Sequence, residues 1–204
     1  AMLRQADFDH GTYVIDRPGV YRLVEDISFD PNAIGRMNAL CDAGELPPAL
    51  CPFDAWNAGL PLPTQFLPGG VDGFTPGGPL DARYDPAAFG LGFFAAIAIR
   101  ADGVVLDLNG HRLEQSEQHA LLQRFFALVE LAEQPFLPAQ GPADFGDRLD
   151  AGSRVTIRNG ILGRSAHHGI HGNDNVGVRV LGVDFEDHEV AAIVDVGEVS
   201  RRQR

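Results

Sequence analysis

The run Ile99-Arg-Ala-Asp-Gly-Val-Val-Leu-Asp-Leu-Asn-Gly-His111 decides how this chain is read. Val104, Leu106 and Leu108 alternate with other residues and so share one face of a strand, while Asn109-Gly110 supplies residues that tolerate the left-handed backbone of a corner. Fifty residues later the pattern returns as Val155-Thr-Ile-Arg-Asn-Gly-Ile-Leu162, with Asn-Gly again closing the strand. A further copy follows as Val176-Gly-Val-Arg-Val-Leu-Gly-Val-Asp-Phe185. A second strand type accompanies the first at Ala96-Ile97, Gly169-Ile170 and Ala192-Ile193.

The step from Val155 to Val176 is 21 residues and that from Gly169 to Ala192 is 23. Short strands at such a period predict a solenoid whose coils stack in parallel, with Asn109 above Asn159 in a corner ladder that satisfies backbone groups. The Leu-x-x-Leu-x-Leu frame of leucine-rich repeats is missing. The expectation is therefore an all-β fold, a right-handed parallel β-helix forming one domain over residues 1–204. Toward the N-terminus, Gly11–Ile15 and Gly19–Phe29 read as further short strands around the Pro18-Gly19 turn. Residues 31–92 break the pattern. This stretch is rich in Pro and Gly and reads as a long loop insertion, functional or ornamental. Ala120–Gln134 carries apolar spacing that fits helix or strand; a strand over Phe125–Leu131 preceded by a short helical turn is preferred.

Composition excludes several function classes. The formal net charge is −12, and all sixteen basic residues are Arg. So acidic a surface repels nucleic acid and anionic membrane, and without Lys there is no Schiff-base or lysine-base chemistry. The longest apolar runs, such as Phe93–Ile99, are too short to span a bilayer, and residues 1–20 carry acids in place of a signal-peptide core. Cys41 and Cys51 form either a small disulfide loop or two free thiols, a choice their spacing leaves open. Trp56, Phe93 and Phe94 serve either as stacking platforms for sugar rings or as packing.

The quoted run at Ile99–His111, together with Val155–Ile161 and Gly169-Ile170, resembles the pectin-lyase-like right-handed parallel β-helix superfamily over about residues 10–30 and 93–198. The resemblance implies an extracellular or surface-associated protein, and a polysaccharide as substrate or ligand. It covers lyases, hydrolases, epimerases, phage tailspikes and non-catalytic surface proteins alike. The chain is short for a catalytic member. Its last strand, Ala191–Val196, lies near the C-terminus without a visible cap, which calls for a partner chain, self-assembly or a fold-back of the final residues. Arg201-Arg-Gln-Arg204 matches the pattern of a processing site, or is a basic solvated tail.

The chemistry concentrates in Ser165-Ala-His-His-Gly-Ile-His-Gly-Asn-Asp174. Three of the seven histidines, His167, His168 and His171, fall within five residues, and Asp184, Asp187 and His188 lie one coil on. Equivalent positions in adjacent parallel strands stand about 4.8 Å apart. His168 or His171 is thus expected to face Asp187, His188 or Val194 and to act as acid or base, oriented by Asp187 or His188. In a uronate lyase or epimerase that base removes the C5 proton, and Arg158, Arg164 or Arg179 neutralises the substrate carboxylate, with Glu130 also placed on the substrate-binding side. A divalent metal held by the histidines and Asp174 is the second option, on a spacing that matches no established zinc motif. The third is structural, with imidazoles bonded to corner backbone. Carboxylate pairs for glycoside hydrolysis, Asp184 with Asp187 or Asp107 with Glu130, are the weakest signal among so many acids. Two functions compete: an enzyme acting on extracellular polysaccharide, a lyase or epimerase before a hydrolase, and a non-catalytic structural or interaction module of a surface, wall or virion assembly.

Overall fold

The structure, a computed structural model, describes residues 1–8, 11–30, 95–122, 126–132, 151–173, 175–194, 196 and 199–202. The 31–92 insertion with Cys41, Cys51 and Trp56 lies outside the described residues, as do Phe93, Phe94 and Asp174. In chain order the strands are β1 (Met2–Leu3), β2 (Tyr13–Ile15), β3 (Gly19–Leu23), β4 (Ile27–Phe29), β5 (Ala95–Ile99), β6 (Val104–Asp107) and β7 (Arg112–Gln115). The helix α1 (Glu117–Leu122) follows, and then β8 (Ala127–Glu130), β9 (Thr156–Leu162), β10 (His168–His171), β11 (Val178–Phe185), β12 (Ala191–Val194) and β13 (Val199–Arg202). A 3-10 turn at Gln5–Phe8 separates β1 from β2.

Among the described residues every strand pair is parallel. The larger sheet has eight strands in the order β1-β3-β6-β9-β11-β13, with β4 and β7 joined beside them; the smaller runs β12-β10-β8-β5-β2. Parallel neighbours need a crossover between them, and alternate crossovers carry the chain from one sheet to the other. The expectation of an all-β, right-handed parallel β-helix is therefore corrected: the chain forms two parallel sheets of α/β-like arrangement with a helix set between β7 and β8. The reason lies in the crossover lengths. A step of 23 residues does join Thr156 to its partner Arg179 and His168 to Ala191. Yet Arg22 meets Asp107 across 85 residues, and Asp107 meets Arg158 across 51. A local period at the C-terminal end had been extended to a chain that does not keep it.

Both sheets bury their inner faces in one core. Leu23, Leu106, Ile157 and Val178 of the larger sheet join Ile15, Ile97, Val129 and Ile170 of the smaller, with Phe8, Phe29 and Phe126 alongside. Burying each such Leu or Ile contributes about 1.5–3 kcal/mol. In β5 and β8 every residue is buried, so the middle of the smaller sheet is covered on both faces, the usual condition of a parallel sheet.

The corner expectation is met in part: both asparagines turn corners, and the Asn109 side chain satisfies a backbone carbonyl, whereas that of Asn159 reaches a carboxylate. Asn109 and Asn159 have φ of 55° and 59°, in the left-handed region that Asn adopts at little cost. The Gly110 amide donates to the Asn159 carbonyl at 2.7 Å, Asn109 Nδ2 to the Leu23 carbonyl at 3.0 Å and Asn159 Nδ2 to Asp107 Oδ1 at 3.3 Å. The helical turn and strand expected in 120–134 appear as α1 and β8, with Phe125 itself outside the described residues.

Candidate functional site

β10 lies between β8 and β12, and its residues alternate. Ile170 points into the core, so His171 faces outward. Gly169 makes this placement possible: a Cβ there would lie 2.5 Å from the Ala192 carbonyl and 2.8 Å from His188 Nε2, so any side chain would push β12 away. Past the strand, buried Asn175 fixes the exit. Its Nδ2 donates to the Leu131 and Gly152 carbonyls at 2.8 and 2.9 Å, and its Oδ1 accepts the Asn173 amide.

His171 stands in register with Glu130 of β8 on one side and Val194 of β12 on the other. Its Nδ1 lies 2.9 Å from both Glu130 oxygens. The Glu130 side chain is 5% exposed, whereas that of His171 is 24% exposed. Glu130 Oε1 also accepts the Ala132 amide at 2.8 Å, which fixes the carboxylate. A carboxylate only accepts, so the contact places a proton on Nδ1.

The other imidazoles gather beside this pair. His168 stacks on His171 with centroids 5.4 Å apart and planes 8° from parallel, and His167 meets His168 at 3.8 Å. Burial, and then the nearby His171, lowers the pKa of His167 despite Glu189. Burial likewise lowers that of His188 against the pull of Asp187. Both changes favour neutral rings.

The expected orienting partners take other places. Asp187 is an exposed corner residue with φ of 58°, and its carboxylate pairs with Arg164 Nε at 3.3 Å. His188 bridges to Ser165, and the Ser165 amide donates to the Asp187 carbonyl. The contact to His171 Nδ1 comes instead from Glu130, on the neighbouring strand β8. Arg158 and Arg179 lie on the outward face of the larger sheet, across the core from His171, so they do not share a substrate carboxylate with it. Arg164 is tied to Asp187 and the Gln115 carbonyl. Asp107 and Glu130 belong to the outer faces of different sheets and make no catalytic pair. Asp184 is exposed on β11, beyond the corner. Among the described residues no group of three or more His, Cys, Asp or Glu side chains is arranged to hold a metal ion. No helix there is long and apolar enough to cross a membrane.

No family model, curated protein or solved structure matches this chain. The site therefore stands on its own geometry. The sequence did carry a signal for its central pair. Glu130 is the one charge in Ala127-Leu-Val-Glu-Leu-Ala132, and a carboxylate inside an apolar strand requires a partner.

Proposed function

We propose that the chain acts on an extracellular polysaccharide by proton transfer, with His171 as the acid–base group and Glu130 as the residue that positions it. The single observation carrying this reading is the Nδ1 contact to a buried carboxylate from an imidazole that itself opens to solvent. Held in this way, Nε2 takes a proton from a carbon acid such as C5 of a uronic acid, and Glu130 stabilises the imidazolium that results. The electron pair released at C5 then either expels the C4 oxygen as a double bond forms or recaptures a proton from the other face. Lyase and epimerase chemistry fit one orienting carboxylate better than hydrolysis does, because hydrolysis needs two carboxyl groups facing each other across the scissile bond. Assay against a panel of neutral and uronate polysaccharides tests the reading. His171→Ala should abolish turnover and Glu130→Gln should lower it about 100-fold or more, with His168→Ala less affected. Turnover unchanged in His171→Ala removes the site.

A second reading has its own observation. The large apolar residues exposed among those described sit toward the two ends of the stacked strands: Met2 and Val20 at one, Val176 and Val190 at the other. Such ends suit a non-catalytic module that assembles with itself or a partner chain. Light scattering across a concentration series separates it from a monomeric enzyme.

A further inference from the structure

The outward face of the larger sheet carries a feature that the acid–base reading does not use. Arg22 of β3, Asp107 of β6 and Arg158 of β9 stand in register on three adjacent strands. Asp107 is 3% exposed and its Oδ2 takes Arg22 Nη2 at 3.1 Å and Arg158 Nη2 at 3.0 Å. Its Oδ1 accepts the Asn109 amide and Asn159 Nδ2. Burial raises the pKa of Asp107, but the bonds from Arg158, the Asn109 amide, Asn159 and Arg22 outweigh it and hold the carboxyl below its ordinary value.

Two cations thus share one carboxylate oxygen, and the pair keeps a net positive charge. Each guanidinium reaches Asp107 through Nη2, with the side chains of Arg22 and Arg158 still 42% and 38% exposed. Arg179 of β11 is opposite Thr156, two residues before the Arg158 row, and is exposed on the same face. Among the described face positions of β3, β6, β9 and β11 as far as Leu181, Asp107 is the only acid. A local excess of arginine is unexpected on a chain of net charge −12.

We infer that Arg158 and Arg179, on the adjacent strands β9 and β11, form an oxyanion-binding site, taking a sulfate, phosphate or carboxylate group on the outer face of the larger sheet. The buried carboxylate acts as its anchor: with Arg22 on its other side, it holds the Arg158 fork in place in advance, so a ligand loses little entropy in ordering it. The site lies across the core from His171 and does not depend on the reading above.

Titration of the whole chain with sodium sulfate, phosphate or acetate, at ionic strength held constant with chloride, is followed by amide chemical shifts. Saturable shifts centred on β6, β9 and β11 are expected for at least one oxyanion, and the tightest of the three names the ligand group. Arg179→Gln, an exposed change that leaves the Asp107 pairs intact, should weaken binding about tenfold. Arg158→Gln should do the same, while Arg17→Gln, remote and 84% exposed, should not. Shifts that fail to saturate, that chloride reproduces, or that persist in both Arg179→Gln and Arg158→Gln would overturn the inference.

Discussion

His119 offers a prediction whose size follows from its surroundings. The ring is fully buried, with centroids 5.2 Å from Phe29 and 5.3 Å from Phe126, and Gln115 Nε2 lies 2.9 Å from its Nδ1. Burial pushes its pKa down to about 3 from an ordinary 6.5. In the folded protein the ring stays neutral through mild acid, whereas in the unfolded chain it protonates below about 6.5. The unfolded state therefore binds more protons between these two values, and stability falls as pH falls. The slope is about 1.4 kcal/mol per pH unit, or about 2 kcal/mol lost by pH 5. His119→Asn keeps an acceptor near the Nδ1 position and does not titrate. It should be less stable than the parent at pH 8, by about 1–3 kcal/mol for the lost ring, yet its stability should decline less between pH 6.5 and 4.5. His167 and His188 titrate in the same window but are present in both proteins, so the difference in slope isolates position 119. Urea midpoints at four or five pH values measure it. Parallel curves for parent and variant would refute the argument, since they would mean that His119 is solvated or protonated in the fold.

Three further outcomes follow from the geometry. Glu130→Gln should change the tautomer balance of His171, read from its ring nitrogen shifts, because an amide no longer enforces the proton on Nδ1; unchanged shifts would show that Glu130 does not position the ring. Asp107→Asn should cost about 1–3 kcal/mol by leaving Arg22 and Arg158 without their shared anion, measured by urea denaturation. Gly169→Ala should cost about 2–4 kcal/mol or detach β12, seen as faster amide exchange in Ala191–Val194, since its Cβ would meet the Ala192 carbonyl.

The strands and corners were legible because their signal is local. Alternation in Val104–Leu108 and left-handed Asn-Gly pairs each require only a few neighbouring residues. The arrangement was not legible in the same way, since the partner of β3 is fixed by a crossover of 85 residues that shows no period. The candidate site divides along the same line. The histidine cluster stands out by composition, and of the three residues offered to face His168 or His171, Val194 is the one in register with His171. The carboxylate beside His171 comes from β8, because the sequence step from β8 to β10 is 41 residues whereas that from β10 to β12 is 23. Arg158 and Arg179 are near the histidines in the chain, but β9 and β11 belong to the larger sheet and β10 to the smaller. Residues near in sequence are thereby placed on opposite sides of the core.

The inequality of the crossovers bears on the order in which the molecule assembles. Closing a chain segment costs more entropy the longer it is, so the turn from β9 through β13 can condense by itself early. The strands β3 and β4 have to wait for β6 and β7 before they gain those neighbours in the larger sheet, although β1 already pairs with β3 across 20 residues. The edges that β3 and β4 offer to β6 and β7 are thus the ones left open longest, and a helper that shields open strand edges would be needed most there.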